Sequence, residues 1–162
     1  MSAARGFEEI TAPGTPAPEF SLIREDGETF TRSDLLGGDT TVLVFYPFAF
    51  SPVCTDQLQV YDEVRDELAE RGAVLYGVSC DHTYSQKAFR TGLGVSIQQL
   101  SDWEPKGEAS RAFGAWFAPR GCSARALVIV GPDGVVRWSH RAESLGDLPG
   151  ANLIFDALAA PA

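Results

Sequence analysis

The chain has 162 residues, a net charge of −9, and apolar and charged fractions of 44% and 22%, enough for one domain with a real hydrophobic core. It carries no basic stripe to neutralise phosphates, which argues against nucleic acid or an anionic membrane as a partner. No apolar run could span a bilayer, residues 1–9 lack a signal-type apolar core, and three widely spaced cysteines do not make a secreted disulfide framework, so a cytoplasmic protein is expected.

Residues 1–15 are rich in Pro, Gly, Ala and Thr and read as an extended N-terminal arm. Strands over 20–23 and 29–31 flank Asp26-Gly27, a hairpin signal. Residues 33–37 suggest a short helix that opens at Ser33 and stops at Gly37. The run 41–46 is apolar nearly throughout, as suits a strand covered on both faces. A long helix is predicted over 55–71, with Val60, Tyr61, Val64 and Leu68 as its core stripe. A second buried strand, 73–80, follows, and a strand–helix–strand unit of this length implies a parallel pair. Next come a helix over 83–91, a short strand at 98–100 and a helix over 106–113. Strands over 125–130 and 135–140 enclose Gly131-Pro132-Asp133-Gly134, a second hairpin, and a helix over 151–159 ends the pattern. This order predicts an α/β fold, a central mixed β-sheet flanked by helices with an N-terminal β-hairpin extension, in one domain over 1–162.

Cys54 stands out chemically. It falls between a buried strand and a long helix, in the first helical turn at the C-terminal edge of the sheet. Unpaired N–H groups and the positive end of the helix dipole favour an anion there. Pro47 stops the strand so that the chain can turn over the sheet edge. Ser51, three residues before the cysteine, brings a hydroxyl within reach of the thiol or of a bound ligand. Ionisation alone is a modest aid: an ordinary thiol is a few per cent ionised at neutral pH, so full ionisation gains at most about 30-fold. A nucleophilic thiol gains more from donors that meet the negative charge building on its leaving group in the transition state. Arg125, at the start of a buried strand, is the candidate cation, with forked donors that can reach both sulfur and oxygen.

Pro47-x-x-x-Ser51-x-x-Cys54 resembles the active-site motif of the peroxiredoxins. Ala17-Pro18-Glu19-Phe20, Val78-Ser79-Cys80-Asp81, Leu100-Ser101-Asp102, Gly121-Cys122-Ser123-Ala124-Arg125 and the hairpin 131–137 are similar to family segments in the same order, over roughly residues 12–140. The phrase from Val44 to Ser51 and the tract Leu100-Ser101-Asp102-Trp103 look most like the one-cysteine alkyl hydroperoxide reductase E type. The resemblance implies a thioredoxin-like fold and a peroxidatic Cys54 that becomes a sulfenic acid. Ser51 and Arg125 would hold the peroxide oxygens, and Pro47 would shield the site. It implies no cofactor and no metal. The partners it implies are a hydroperoxide substrate, a second copy in a homodimer, and a reductant. That reductant would be a thioredoxin-, glutaredoxin- or mycoredoxin-like protein or a low-molecular-weight thiol. Two positions depart from the common pattern: Ser51 stands where Thr is commoner, and Gln57 stands where many members have Glu, with Asp56 one residue before it. No cysteine follows Cys122, and position 59 is Gln, which argues against two of the two-cysteine classes.

Cys80 and Cys122 are candidate resolving thiols, but a cysteine in a buried strand is more often small apolar filler. Cys54, Cys80 and His82 match no familiar metal-ligand spacing, and neither His82 nor His140 is placed as the base of a cysteine hydrolase. Trp103, Trp116 and Phe117 read as core or as dimer surface. The rival to a peroxidase is a non-catalytic redox sensor or binding module in which oxidised Cys54 changes a partner's affinity.

Overall fold

The computed structural model describes residues 7–160, so residues 1–6 of the expected N-terminal arm lie outside the described residues. Strands β1 (Ser21–Arg24) and β2 (Thr29–Thr31) form the expected hairpin, with Gly27 at φ +90 in the turn. Then follow β3 (Thr40–Phe45), α1 (Pro52–Glu63), α2 (Arg65–Glu70), β4 (Ala73–Ser79), α3 (Thr83–Leu93) and β5 (Gln98–Ser101). The rest runs α4 (Glu108–Phe113), β6 (Trp116–Phe117), β7 (Cys122–Ser123), β8 (Ala126–Val130), β9 (Val136–Arg141) and α5 (Ala151–Ala159). Seven strands make one mixed sheet in the order β2-β1-β5-β4-β3-β8-β9, while β6 and β7 pair as a separate ribbon. β3 is parallel to β4 and β4 to β5; the other neighbours are antiparallel.

β3 shows why the sheet is covered twice. Leu43 and Phe45 point to one face, where they pack with Phe20, Phe30, Val78 and Phe113 of α4. Val42, Val44 and Tyr46 point to the other, where they meet Leu58 and Tyr61 of α1, Phe89 of α3 and Ile154 of α5. A strand buried on both sides has to be apolar along most of its length, which is what Val42 to Phe45 show after the two threonines. Each fully buried aliphatic or aromatic side chain here contributes on the order of 1.5–3 kcal/mol. The arm is pinned along residues 7–16. The Thr11 N–H donates to the Phe113 carbonyl (2.9 Å), the Gly14 N–H to that of Val136 (2.7 Å), and the Ser139 hydroxyl to that of Thr11 (2.6 Å).

Three expectations are corrected. The single helix over 55–71 is two: α1 begins at Pro52, where proline suits the first helical position, and the chain breaks at Val64 before α2. The buried face of α1 is Cys54, Gln57, Leu58 and Tyr61, a stripe at spacings of three and four that passes Val60 by and leaves it exposed. The short helix is a 3-10 turn, Arg32–Leu35, closed by the Thr31 N–H on the Asp34 carboxylate at 2.7 Å. The three aromatic residues separate: Trp116 is buried, Phe117 stacks against Phe7, and Trp103 is 52% exposed. Among the described residues, no helix is long and apolar enough to cross a membrane.

Candidate active site

Cys54 is the third residue of α1 and is fully buried. The loop from Pro47 to Ser51 carries the chain from the end of β3 over the sheet edge into that helix. Ser51 holds the N-cap position, yet its side chain does not cap the helix; its hydroxyl donates to the Phe48 carbonyl at 3.0 Å. The loop is tied to the next strand by Asp81. Its Oδ2 accepts from the Ala49 N–H (2.8 Å) and from the Ser79 hydroxyl (2.8 Å). Phe50 is the one non-glycine residue at positive φ among those described, +70, a conformation costing roughly 1–2 kcal/mol. Its ring is 62% exposed and rests 5.2 Å from that of Phe89 on α3.

Arg125 comes from the other side of β3, just before β8, and is 98% buried, with 2% of its surface exposed. Its guanidinium donates in three directions: Nε–H to the Leu145 carbonyl (2.9 Å), Nη1 to Gln57 Oε1 (2.6 Å) and Nη2 to Cys54 Sγ (3.2 Å). Both oxygen partners are neutral, so among the described residues no carboxylate hydrogen-bonds this buried cation, and the third partner is the sulfur. An uncompensated charge is costly to bury, and the contact with the sulfur is the one that sets this guanidinium apart from a cation held by neutral oxygens alone. Gln57 is itself held: its Nε2 donates to the Tyr61 hydroxyl (3.4 Å), which donates onward to the Pro149 carbonyl. Burial pushes the Tyr61 phenol up to about 12, so it stays a neutral donor at every ordinary pH. Burial also drives the Tyr46 phenol far up, and its hydroxyl is fixed on Gln99 Oε1 at 2.6 Å.

A pocket of about 220 Å³ opens over this arrangement, lined among others by Pro47, Phe48, Ser51 and Arg125. Pro47, Ser51 and Arg125 therefore meet around one cavity, with Arg125 reaching the sulfur beneath it. All three cysteines are free, and no hydrogen bond joins Cys54 to either other thiol. Cys80 lies one residue past the end of β4 and belongs to neither core cluster, whereas Cys54 packs in the cluster on the α1 face. Cys80 Sγ lies 3.5 Å from the Ser123 hydroxyl, and burial raises its thiol. Burial, with the neighbouring Cys80, pushes Cys122 up to about 11. His82 caps α3 by accepting the Tyr84 N–H at 3.3 Å. Asp56 faces solvent and takes no part.

The AhpC/TSA family profile matches residues 13–139. The chain belongs to the AhpC/TSA family. Curated relatives are similar along most of it. Alkyl hydroperoxide reductase E of Mycobacterium tuberculosis is 29% identical over 150 residues, 91% of this chain and 95% of that protein. Peroxiredoxin tpx1 of Schizosaccharomyces pombe is 31% identical over 154 residues, 90% of this chain and 77% of its own length. The crystal structure of a peroxiredoxin-like protein from Aquifex aeolicus superposes with a TM-score of 0.81 at 19% identity, covering 93% of this chain and 87% of that one. The fold is thus the thioredoxin-like fold of the peroxiredoxins.

Residues beyond the motif join the arrangement around Cys54. Sequence reading singled out Gln57 only as a departure; its place as the acceptor that aims Arg125 comes from the fold. Asp81 was visible as the end of Val78-Ser79-Cys80-Asp81, but its bond to Ala49 was not. The Leu145 carbonyl carries no signature in the sequence at all.

Proposed function

We propose that the protein is a thiol-dependent peroxidase in which Cys54 reduces hydrogen peroxide or an organic hydroperoxide. The observation that carries the reading is the contact between buried Arg125 Nη2 and Cys54 Sγ at 3.2 Å. The thiolate form of Cys54 attacks the terminal peroxide oxygen. A sulfur–oxygen bond forms as the O–O bond breaks, sulfur supplies the electron pair, and the departing alkoxide or hydroxide takes a proton from water. Cys54 becomes a sulfenic acid. Arg125, buried and with donors beside the sulfur, stabilises the charge that moves onto the leaving oxygen. Ser51 needs only a rotation about its Cα–Cβ bond to leave the Phe48 carbonyl and meet the peroxide. Pro47 supplies the apolar wall that keeps water out.

Regeneration is assigned to an outside reductant, a low-molecular-weight thiol or a redoxin-type protein. One thiol displaces the sulfenic oxygen as water, giving a mixed disulfide; a second releases Cys54 and leaves as a disulfide. Cys80 Sγ is engaged with the Ser123 hydroxyl, and burial raises the thiols of both Cys80 and Cys122, which supports this over internal resolution. Three reduced cysteines suit the cytoplasm, and a homodimer is expected from the family likeness. The test is a stoichiometric pulse of hydrogen peroxide on the reduced protein, followed by intact mass and peptide mapping. One oxygen added at Cys54, and no turnover by Cys54→Ser, are the expected results. A Cys54→Ser protein that still consumes peroxide with a thiol would overturn the reading.

A further inference from the structure

The pocket above Cys54 has a charge that opposes that of the molecule. The chain as a whole carries −9, yet the two ionisable residues that line the pocket are both arginines, Arg125 at its floor and Arg120 beside it. Arg120 ends a short 3-10 turn, Ala118–Arg120, and its guanidinium lies over the Phe48 ring, 5.2 Å from the centroid. Its partner is thus an aromatic face on the peroxidatic loop and not a carboxylate: among the described residues, Arg120 enters no ion pair. A second cation stands behind it. Lys106 Nζ is 3.0 Å from where a Cβ on Gly121, the next residue, would sit. Glu143 and Asp147 lie on the neighbouring segment, exposed, and do not line the cavity.

Apart from Ser51 the side chains of the remaining wall are apolar, among them Pro47, Phe48, Val53 and Leu145. Its volume of about 220 Å³ falls below the roughly 300–1,000 Å³ of pockets that hold drug-sized ligands. Hydrogen peroxide needs neither the apolar wall nor a second cation.

Resting on the peroxidase reading, we propose that the preferred substrate is a small organic hydroperoxide with a carboxylate or similar fixed negative charge on a short apolar body, and that Arg120 is the residue that selects it. The peroxide group goes down to Cys54 and Arg125, the body lies against Phe48 and Leu145, and the anionic end meets Arg120. The charged end takes no part in the bond changes at sulfur. Arg120 acts on binding and encounter, within the Debye length of about 8–10 Å over which such a cation is felt in ordinary salt.

The experiment compares 4-hydroperoxy-4-methylpentanoate with its methyl ester, a pair that differs in the charge and one ester methyl. The second-order rate constant for oxidation of Cys54 is followed by rapid-mixing fluorescence on the reduced protein, with hydrogen peroxide run alongside. The expected result is an anion-to-ester ratio of about tenfold, against the sign of the net charge, shrinking as salt is raised. Arg120→Gln brings the ratio to about one or below, and Arg65→Gln, an equal charge change on distant α2, leaves it in place. Fast reaction with hydrogen peroxide and no anion preference would overturn the substrate assignment alone. A preference that survives Arg120→Gln would overturn the role of Arg120. No oxidation of Cys54 by any of the three peroxides would overturn the peroxidase reading, and this one with it.

Discussion

Arg125 is held by a carbonyl, an amide oxygen and a sulfur, and each contact fixes a different arm of the guanidinium fork. A lysine carries the same charge but cannot satisfy three directions from one planar group, and its ammonium is more strongly hydrated. Arg125→Lys is therefore expected to keep the fold and lose about 10²–10³ in the rate constant for Cys54 oxidation, the usual cost of removing an aimed donor from a site of developing charge. Rapid mixing with hydrogen peroxide, with circular dichroism as the check on folding, measures this. A variant within about threefold of the parent would mean that charge alone, and not aimed donors, does the work. Gln57 matters for the same reason. A carboxylate at that position would place a second anion 2.6 Å from the guanidinium, where the neutral amide leaves the cation to the sulfur.

At the level of elements, two adjacent segments hold each other in place: the loop Pro47–Ser51 and the turn between β4 and α3. Asp81 bridges them by accepting from Ala49 and Ser79, and its own carbonyl accepts from the Ser101 hydroxyl at 2.6 Å. Phe50 keeps its unfavourable φ because that tether and its contact with Phe89 outweigh the cost. Asp81→Ala removes the acceptor for a loop N–H. It should slow Cys54 oxidation by about tenfold or more and destabilise the fold by about 1–3 kcal/mol, read by peroxide kinetics and urea melts. Equal kinetics with lowered stability would make Asp81 a structural residue only. These ties mark where sequence reading stops. The hairpin at Asp26-Gly27, the doubly buried β3 and the βαβ unit were legible because each is written in a local pattern. The break at Val64 was not, since the heptad-like stripe runs through it without a glycine or proline. Nor were β6 and β7, two residues each, too short to show any alternation. The acceptors of Arg125 lie 68 and 20 residues away in the chain, and one of them is a backbone carbonyl, so no motif could announce them.

Over the whole molecule, burial acts in the same direction on Tyr46, Tyr61, Cys80 and Cys122: it favours their neutral forms and raises all four. The unfolded chain releases these protons near the ordinary thiol and phenol values, while the folded chain holds them to higher pH. Their contribution to stability is full below the unfolded values and is lost as pH rises through the folded ones. Stability to urea should therefore fall from about pH 9 to about pH 12, and the Cys80→Ala, Cys122→Ala double variant should show a shallower decline at the lower end of that window. An unchanged slope in the double variant would remove the thiols from the account.

The complete enclosure of Cys54 has a consequence for traffic through the site. A peroxide is a few atoms across and fits the space above the sulfur, so the oxidising half of a cycle can run with α1 intact. A protein or peptide thiol has no such entrance. For its sulfur to come into line with that of Cys54, the first turn of α1 and the Pro47–Ser51 loop must part. The same packing that shelters the reactive atom thus sorts its visitors by size, admitting oxidant to the closed form and reserving repair for an open one.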